Sequence, residues 1–480
     1  MIFDAIPYAE YLARVRKDRK NDAIRSFIEF IERRLGMVTM YPVRLIPFGR
    51  VELTDTYATA IQLQEKGVIK SFDHMTILPD EPRIQIWNAV CNDPWENISG
   101  GISSENDSDA FTASLAEGLE RYLLNTQQDY LRSTKRETVE GIGRYGAFIA
   151  PEKFTGFSKK QRQKDTALQL SKEASYLWTR GTSLITNKPI YLPAQIVALS
   201  INPLQNVTRE PLIRRQSTIG IATWPTQLGA RLAGMLEVIE HDAYMIMWLN
   251  QLRLPRIPVD VVRNENRSLD KLIKKCERYM LKVHAIQMLT DAPTHAICVL
   301  VEDQSGIAPR FTFGLKAHRS LPHALEKALL EALRTRIMYR SSAARAKITI
   351  PQKVEDIGHT DRIYYWGDPQ NASKLTFLIQ GKVATRKIEE WEKDTSEEHF
   401  ARLLAWCREN NYECASVDLG ISAMNPTRWC VEMVVMPDMQ PTHLSESPRH
   451  EGGARLKNIP LKFGYSPRGE VFVDSPHPFW

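Results

Sequence analysis

The side chains best placed to do chemistry are glutamates that recur beside glycine-containing segments. Glu117 and Glu120 are followed by Arg121 and preceded by Ser114 and the run Gly100-Gly101-Ile102-Ser103. Glu237 and Glu240 follow Gln216-Ser217-Thr218-Ile219-Gly220. A third segment has Gly314, then Glu331, Arg334 and Arg336. Residues three apart share a helix face, where like charges repel by roughly 0.2–0.5 kcal/mol if exposed. The run from Leu228 to Glu240 is apolar or small nearly all round, the mark of a buried helix. Buried carboxylates must neutralise, pair or bind a metal, because a bare charge is too costly to desolvate. Carboxylates from several helices, with no His or Cys set beside them, suit a hard cation such as Mg2+. That ion shares its coordination among a few carboxylates, waters and substrate phosphates. Arginines and glycine-loop amides would then hold phosphate oxygens. The pattern predicts a magnesium–nucleotide site built from three helices. Neither a Walker-type nor a kinase signature is present. The competing reading of any one such motif is a solvated helix face.

Residues 8–35 read as a basic amphipathic helix, with Tyr8, Leu12, Ile24, Phe27, Ile28 and Ile31 at helical spacing and Gly36 stopping it. Residues 37–90 read as strands and turns, so residues 1–85 are expected to form a small α/β region. From about 86 to 345 one arrangement repeats: a β-rich segment, a glycine-containing loop, then an apolar helix carrying glutamates. Polar stretches at 146–180 and 341–375 interrupt it, and the chain ends in strand-like runs and a Pro/Gly-rich tail. Segregated strands and helices predict an α+β fold.

Composition bounds the function. The chain has 480 residues, 43% hydrophobic and 25% charged, so a sizeable core is expected. A net charge of +6 is too small a surplus to argue for nucleic acid. The basic run Lys159-Lys160-Gln161-Arg162-Gln163-Lys164 lacks aromatics to stack on bases and reads as a solvated face. Six scattered cysteines show no metal-ligand spacing and fit reduced thiols in a cytoplasm. The apolar runs are too short to cross a bilayer, and neither a nucleic-acid nor a membrane partner is expected.

The same glutamates lie where the sequence resembles the YcaO family. The likeness runs from about residue 86 to the end. It includes Ser99–Ser103, Ala116–Tyr122, Trp178–Leu184, Leu192-Pro193-Ala194, Arg215–Ala222, Glu237–Ala243, Gly314, Ala328–Arg336 and Pro476-His477-Pro478-Phe479-Trp480. The resemblance implies a YcaO-like α+β domain over 86–480 with ATP and Mg2+ as cofactors. Glu117, Glu120, Glu237, Glu240 and Glu331 would serve metal and phosphate. Ser114, Arg121, Gln216, Ser217, Arg334 and Arg336 would contact phosphates or the nucleoside. Glu117, Glu237, Arg336 and Trp480 would act in catalysis, the last through a proline-rich tail reaching toward the site. The sequence resembles the azoline-forming cyclodehydratases of thiazole/oxazole-modified microcin-type peptides. In these a Cys, Ser or Thr side chain attacks the preceding amide carbonyl. ATP phosphorylates the amide oxygen, and phosphate loss leaves the ring. Three departures stand out: His241 where arginine is usual, Ile219 where asparagine is common, and no lysine in the first loop.

The resemblance leaves rival readings. Thioamide formation would keep the ATP residues and change the nucleophile. A non-catalytic nucleotide-binding scaffold would bind nucleotide without peptide-dependent turnover. For an azoline-forming enzyme the expected partners are a precursor peptide, a separate leader-peptide-binding subunit and a flavin-dependent azoline dehydrogenase.

Overall fold

The computed structural model describes residues 54–479 apart from 94–95, 127–133, 200–209, 344–349, 422–424 and 470–471. The helix expected over 8–35 and the terminal Trp480 lie outside the described residues. The architecture is α+β with antiparallel strand pairing in three sheets, as expected.

The first sheet has the order β1 (Ile69–His74), β2 (Gln85–Cys91), β3 (Ile98–Ser103). A short helix α1 (Thr54–Glu65) precedes it, and α2 (Asp107–Thr126) packs on β3. The boundary expected at 85/86 falls inside this sheet, since Phe72 of β1 pairs with Ala89 of β2. Residues on both sides of that point therefore belong to one hydrogen-bonded unit.

The second sheet runs β4 (Lys135–Glu137), β5 (Tyr176–Ser183), β11 (Ala415–Asp418), β12 (Cys430–Val435), β7 (Ile221–Trp224), with β6 (Pro189–Pro193) also pairing β5. Helix α3 (Gln227–Asn250) lies against β7 and β12. The Thr226 side chain accepts from Gly229 N–H to start it, and Gln251 in the left-handed region ends it. From Ile239 to Asn250 every residue of α3 is buried, in keeping with its all-round apolar sequence.

The third sheet is β10 (Phe311–His318), β9 (His295–Asp303), β8 (Leu281–Gln287), covered by α4 (Arg267–Arg278) and α5 (Leu321–Ala343). Central β9 shows how one strand joins two cores. Ile297, Val299 and Val301 point to the cluster under α4 and α5, while Ala296, Cys298 and Leu300 point to the cluster holding the second half of α3. That is the period-two alternation of a strand buried on both faces. The basic run at 159–164 forms a short exposed helix capped by Ser158, as its composition predicts.

Strands β3, β7 and β10 each stand at the edge of their sheet. Each carries a glutamate-bearing helix, α2, α3 or α5.

Candidate functional site

Helix and strand approach closely because glycine allows it. A Cβ on Gly101 of β3 would lie 1.8 Å from the Ala110 carbonyl oxygen of α2, and one on Gly314 of β10 1.9 Å from that of Ala328 of α5. Both glycines sit within strands, not in the loops expected from sequence. The close approach brings each helix glutamate within reach of an edge-strand amide.

Glu117, Glu237 and Glu331 bond the strand segment against which their own helix packs, whereas Glu120 and Glu240 reach the edge strand of a neighbouring sheet. Gly100 N–H donates to Glu117 Oε2 at 2.8 Å, and Gly220 N–H to Glu237 Oε2 at 2.9 Å. Thr223 N–H donates to Glu120 Oε1 at 2.6 Å. Leu315 N–H donates to Glu331 Oε2, and Ala317 N–H to Glu240 Oε2, both at 2.6 Å. The glycine amides thus hold carboxylates rather than phosphates, which corrects the expectation of phosphate-binding glycine loops. Each carboxylate accepts its backbone amide through one oxygen, and Glu117, Glu237, Glu240 and Glu331 line a cavity of about 1370 Å³.

Electrostatics divides the five. Burial pushes Glu117 up, yet Arg121 and Arg334, with the Gly100 amide, bring it below the usual glutamate value. Arg121 Nη2 lies 3.0 Å from Glu117 Oε1. Burial first, and then neighbouring carboxylates, push Glu120 up to about 8 and Glu331 up to about 8. Burial raises Glu237 to about 7 and also raises Glu240. Lys316 beside Glu237, Glu240 and Glu331, and Arg121 beside Glu120, offset burial only in part, and a bound cation would supply the remaining positive charge. The donor set is all oxygen, with cavity space for phosphates beside it, so the residues fit Mg2+ and a nucleotide.

Most of the other expected residues also reach this cavity. Arg121, Gln216, Ser217 and Arg334 line it, and Arg334 lies across Gly100, where a Cβ would meet its guanidinium at 2.2 Å. Two do not. The Ser114 side chain is buried and donates to the Phe111 carbonyl of its own helix at 2.8 Å, so it is turned away from the cavity. Arg336 is buried in ion pairs with Glu81 at 2.9 Å and Asp303 at 2.7 Å. Its guanidinium is therefore spent on tying α5 to the segment before β2, and the expectation of a phosphate contact is corrected.

The tail reaches the site. His477 and Phe479 line the cavity. Phe479 N–H donates to Tyr244 Oη at 3.1 Å, its carbonyl accepts from Arg362, and its ring meets His241 at 5.2 Å between centroids. Arg362 is held in turn by Glu446 at 2.8 Å. Burial takes His241 down to about 3, so it is neutral and cannot replace an arginine's charge. His443, Glu446 and His477 could offer a metal one atom each within 4.8 Å. Arg362 and Arg449 already crowd that carboxylate with positive charge, which opposes a cation there.

Sequence reasoning missed Lys316, Arg362 and Tyr244. No local pattern marks them, because their partners lie 76 or more positions away. Among the described residues no helix is long and apolar enough to cross a membrane.

Comparison with known proteins agrees with this geometry. The family model described as YcaO cyclodehydratase, ATP- and Mg2+-binding, matches residues 103–440. An uncharacterized protein of Methanothermobacter thermautotrophicus is 24% identical over 203 residues, 41% of this chain and 51% of its own length. A heterocyclase solved in complex with substrate and cofactor superposes with a TM-score of 0.71 at 18% identity, over 92% of this chain and 59% of that one. YcaO from Methanopyrus kandleri, bound with AMPPCP and Mg2+, gives a TM-score of 0.57 at 16% identity, over 82% and 92%. The chain thus spans only about half to three-fifths of the first two. With the family match covering more than half of its residues, this chain belongs to the YcaO family.

Proposed function

We propose that the protein is an ATP- and Mg2+-dependent cyclodehydratase that converts Cys, Ser or Thr residues of a ribosomally made precursor peptide to thiazoline or oxazoline rings. The observation that carries this reading is the ring of strand-anchored glutamates with the carboxyl-terminal tail fixed at the same cavity wall. Glu117, Glu120, Glu237, Glu240 and Glu331 would hold Mg2+, and Arg121, Arg334, Gln216 and Ser217 the nucleotide. When bound, ATP supplies the phosphoryl group that makes an amide oxygen a competent leaving group. The protein's own part is positional. Backbone amides fix each carboxylate before any ligand arrives, so little reorganisation is needed at the reacting centre. Tyr244, Arg362 and Glu446 hold the tail against the cavity, and Trp480, next in sequence after Phe479, would act in cyclisation.

The peptide leader would be gripped by a separate subunit. A flavin-dependent dehydrogenase would then oxidise azolines to azoles.

The test has two stages. Calorimetry on wild type, Glu117→Ala and Glu237→Ala should show Mg2+-dependent ATP binding that both variants lose. With leader-binding partner and peptide added, mass spectrometry should show loss of one water per ring. Exchange of oxygen for sulfur would mark thioamide formation instead. Nucleotide binding without any peptide turnover would leave a scaffold.

A further inference from the structure

Arg336, Arg362 and Arg455 are buried, and each has a carboxylate within 2.9 Å. Arg214, in the segment leading to β7, does not follow them. It is half-buried, with its guanidinium carbon 6.0 Å from the centre of the Phe154 ring. Burial lowers it to about 10, and among the described residues no acidic neighbour acts against that burial. An arginine keeps its charge even so. The side chain borders a side pocket of about 30 Å³ that no acidic residue lines. Ser217, Ile219, His241 and Thr442 line both this pocket and the main cavity, so the two adjoin. His241 Nδ1 and Thr442 Oγ1 already bond each other at 3.2 Å, and Val238 adds an apolar wall.

We propose that this side pocket binds a small inorganic anion of the size of chloride, held by the Arg214 guanidinium and the Ser217 hydroxyl. The reasoning is one of charge and size. A cation withdrawn from water is costly unless something of opposite sign stands beside it. Water alone would fill the space and leave that charge unanswered. One water needs roughly 10–15 Å³ by the same measure, so the pocket takes about two waters or one monatomic ion. A phosphate or sulfate group, with four oxygens about its centre, does not fit. The bound anion would link the segment carrying Gln216 and Ser217 to Thr442, and so brace one wall of the main cavity from within the protein.

The test uses protein without nucleotide or metal, so its failure leaves the magnesium–nucleotide reading untouched. Chloride binding would be read from the broadening of the chloride NMR signal, in wild type, Arg214→Met and Arg214→Gln, with gluconate holding the ionic strength constant. The expected result is a saturable broadening in wild type that weakens at least tenfold in both variants. Thermal melting should agree, with chloride in place of gluconate raising the melting temperature of wild type and not of the variants. Broadening of equal size in all three proteins would mean adventitious surface binding only and would overturn the assignment, as would no saturable broadening in wild type. Wild type alone still decides if neither variant folds. Bromide should displace the bound chloride and sulfate should not, and displacement by sulfate would overturn a site of this size.

Discussion

The two sides of the cavity treat the same residue type in opposite ways. On the β3 side Glu117 has Arg121 at 3.0 Å and Arg334 nearby, and it stays ionised without help. Across the cavity burial and fellow carboxylates outweigh Lys316 at Glu237 and Glu331, and they rise to about 7 and about 8. A carboxylate given a protein cation is already complete and can orient an arginine. One left short of positive charge is completed only by a ligand. On the proposed function, Glu117 would meet Mg2+ already ionised, whereas Glu237 and Glu331 would give up protons to it.

That contrast can be broken experimentally. The largest effect should come from outside the cavity: Arg336→Met leaves Glu81 and Asp303 unpaired and should cost about 3–5 kcal/mol in denaturant unfolding. Nucleotide affinity per folded molecule should not change, whereas Arg334→Met should show the reverse. Loss of affinity in Arg336→Met at unchanged stability would return that arginine to the phosphates.

Next in size, Glu237→Gln should weaken Mg2+–ATP binding by more than about 100-fold, beyond the cost of losing an outer-sphere partner. Calorimetry would read it, and a loss smaller than that of Arg334→Met would reverse the assignment of the two sides.

A pH dependence of about tenfold per unit follows for each proton displaced. Glu120, Glu237 and Glu331 hold protons below about pH 7 to 8 that a cation must expel, so apparent Mg2+–nucleotide affinity should rise from about pH 6 to about pH 8. The metal-free protein runs the other way. Its folded state keeps protons that the unfolded chain loses near 4.5, so its thermal stability should fall from about pH 5 to pH 8. Proton release measured in buffers of different ionisation enthalpy tests the first half, and melting curves without metal test the second. The smallest effect sharpens the contrast: Arg121→Met should make Glu117 behave like its neighbours and add about one proton to that release.

The glutamates were legible because helical spacing, apolar surroundings and neighbouring glycines are all local properties of the chain. The distinction between Arg334 and Arg336 was also legible and was overlooked. Two positions on a helix are about 200° apart at 3.6 residues per turn, so both cannot face one cavity. Ser114 shares a face with Glu117, but the glycine contact at Gly101 presses the earlier turn against β3 and leaves only the later one open. The boundary at 85/86 failed because strand pairing is nonlocal: nothing in residues 69–74 announces that β2 is their partner. Lys316 carried no signal for the same reason, since its three carboxylates come from two helices.

The bonds from edge-strand amides to glutamates bear on how the chain behaves in company. Open strand edges are templates on which other chains can add and aggregate. Here the amides of Gly100, Thr223, Leu315 and Ala317 are already answered, and a buried or half-buried carboxyl group stands at each. An incoming strand would find its carbonyls facing carboxyl oxygens instead of free donors. The residues that prepare the protein for its ligand therefore also guard one edge of each sheet, and a variant that loses them should be watched for turbidity as well as for lost binding.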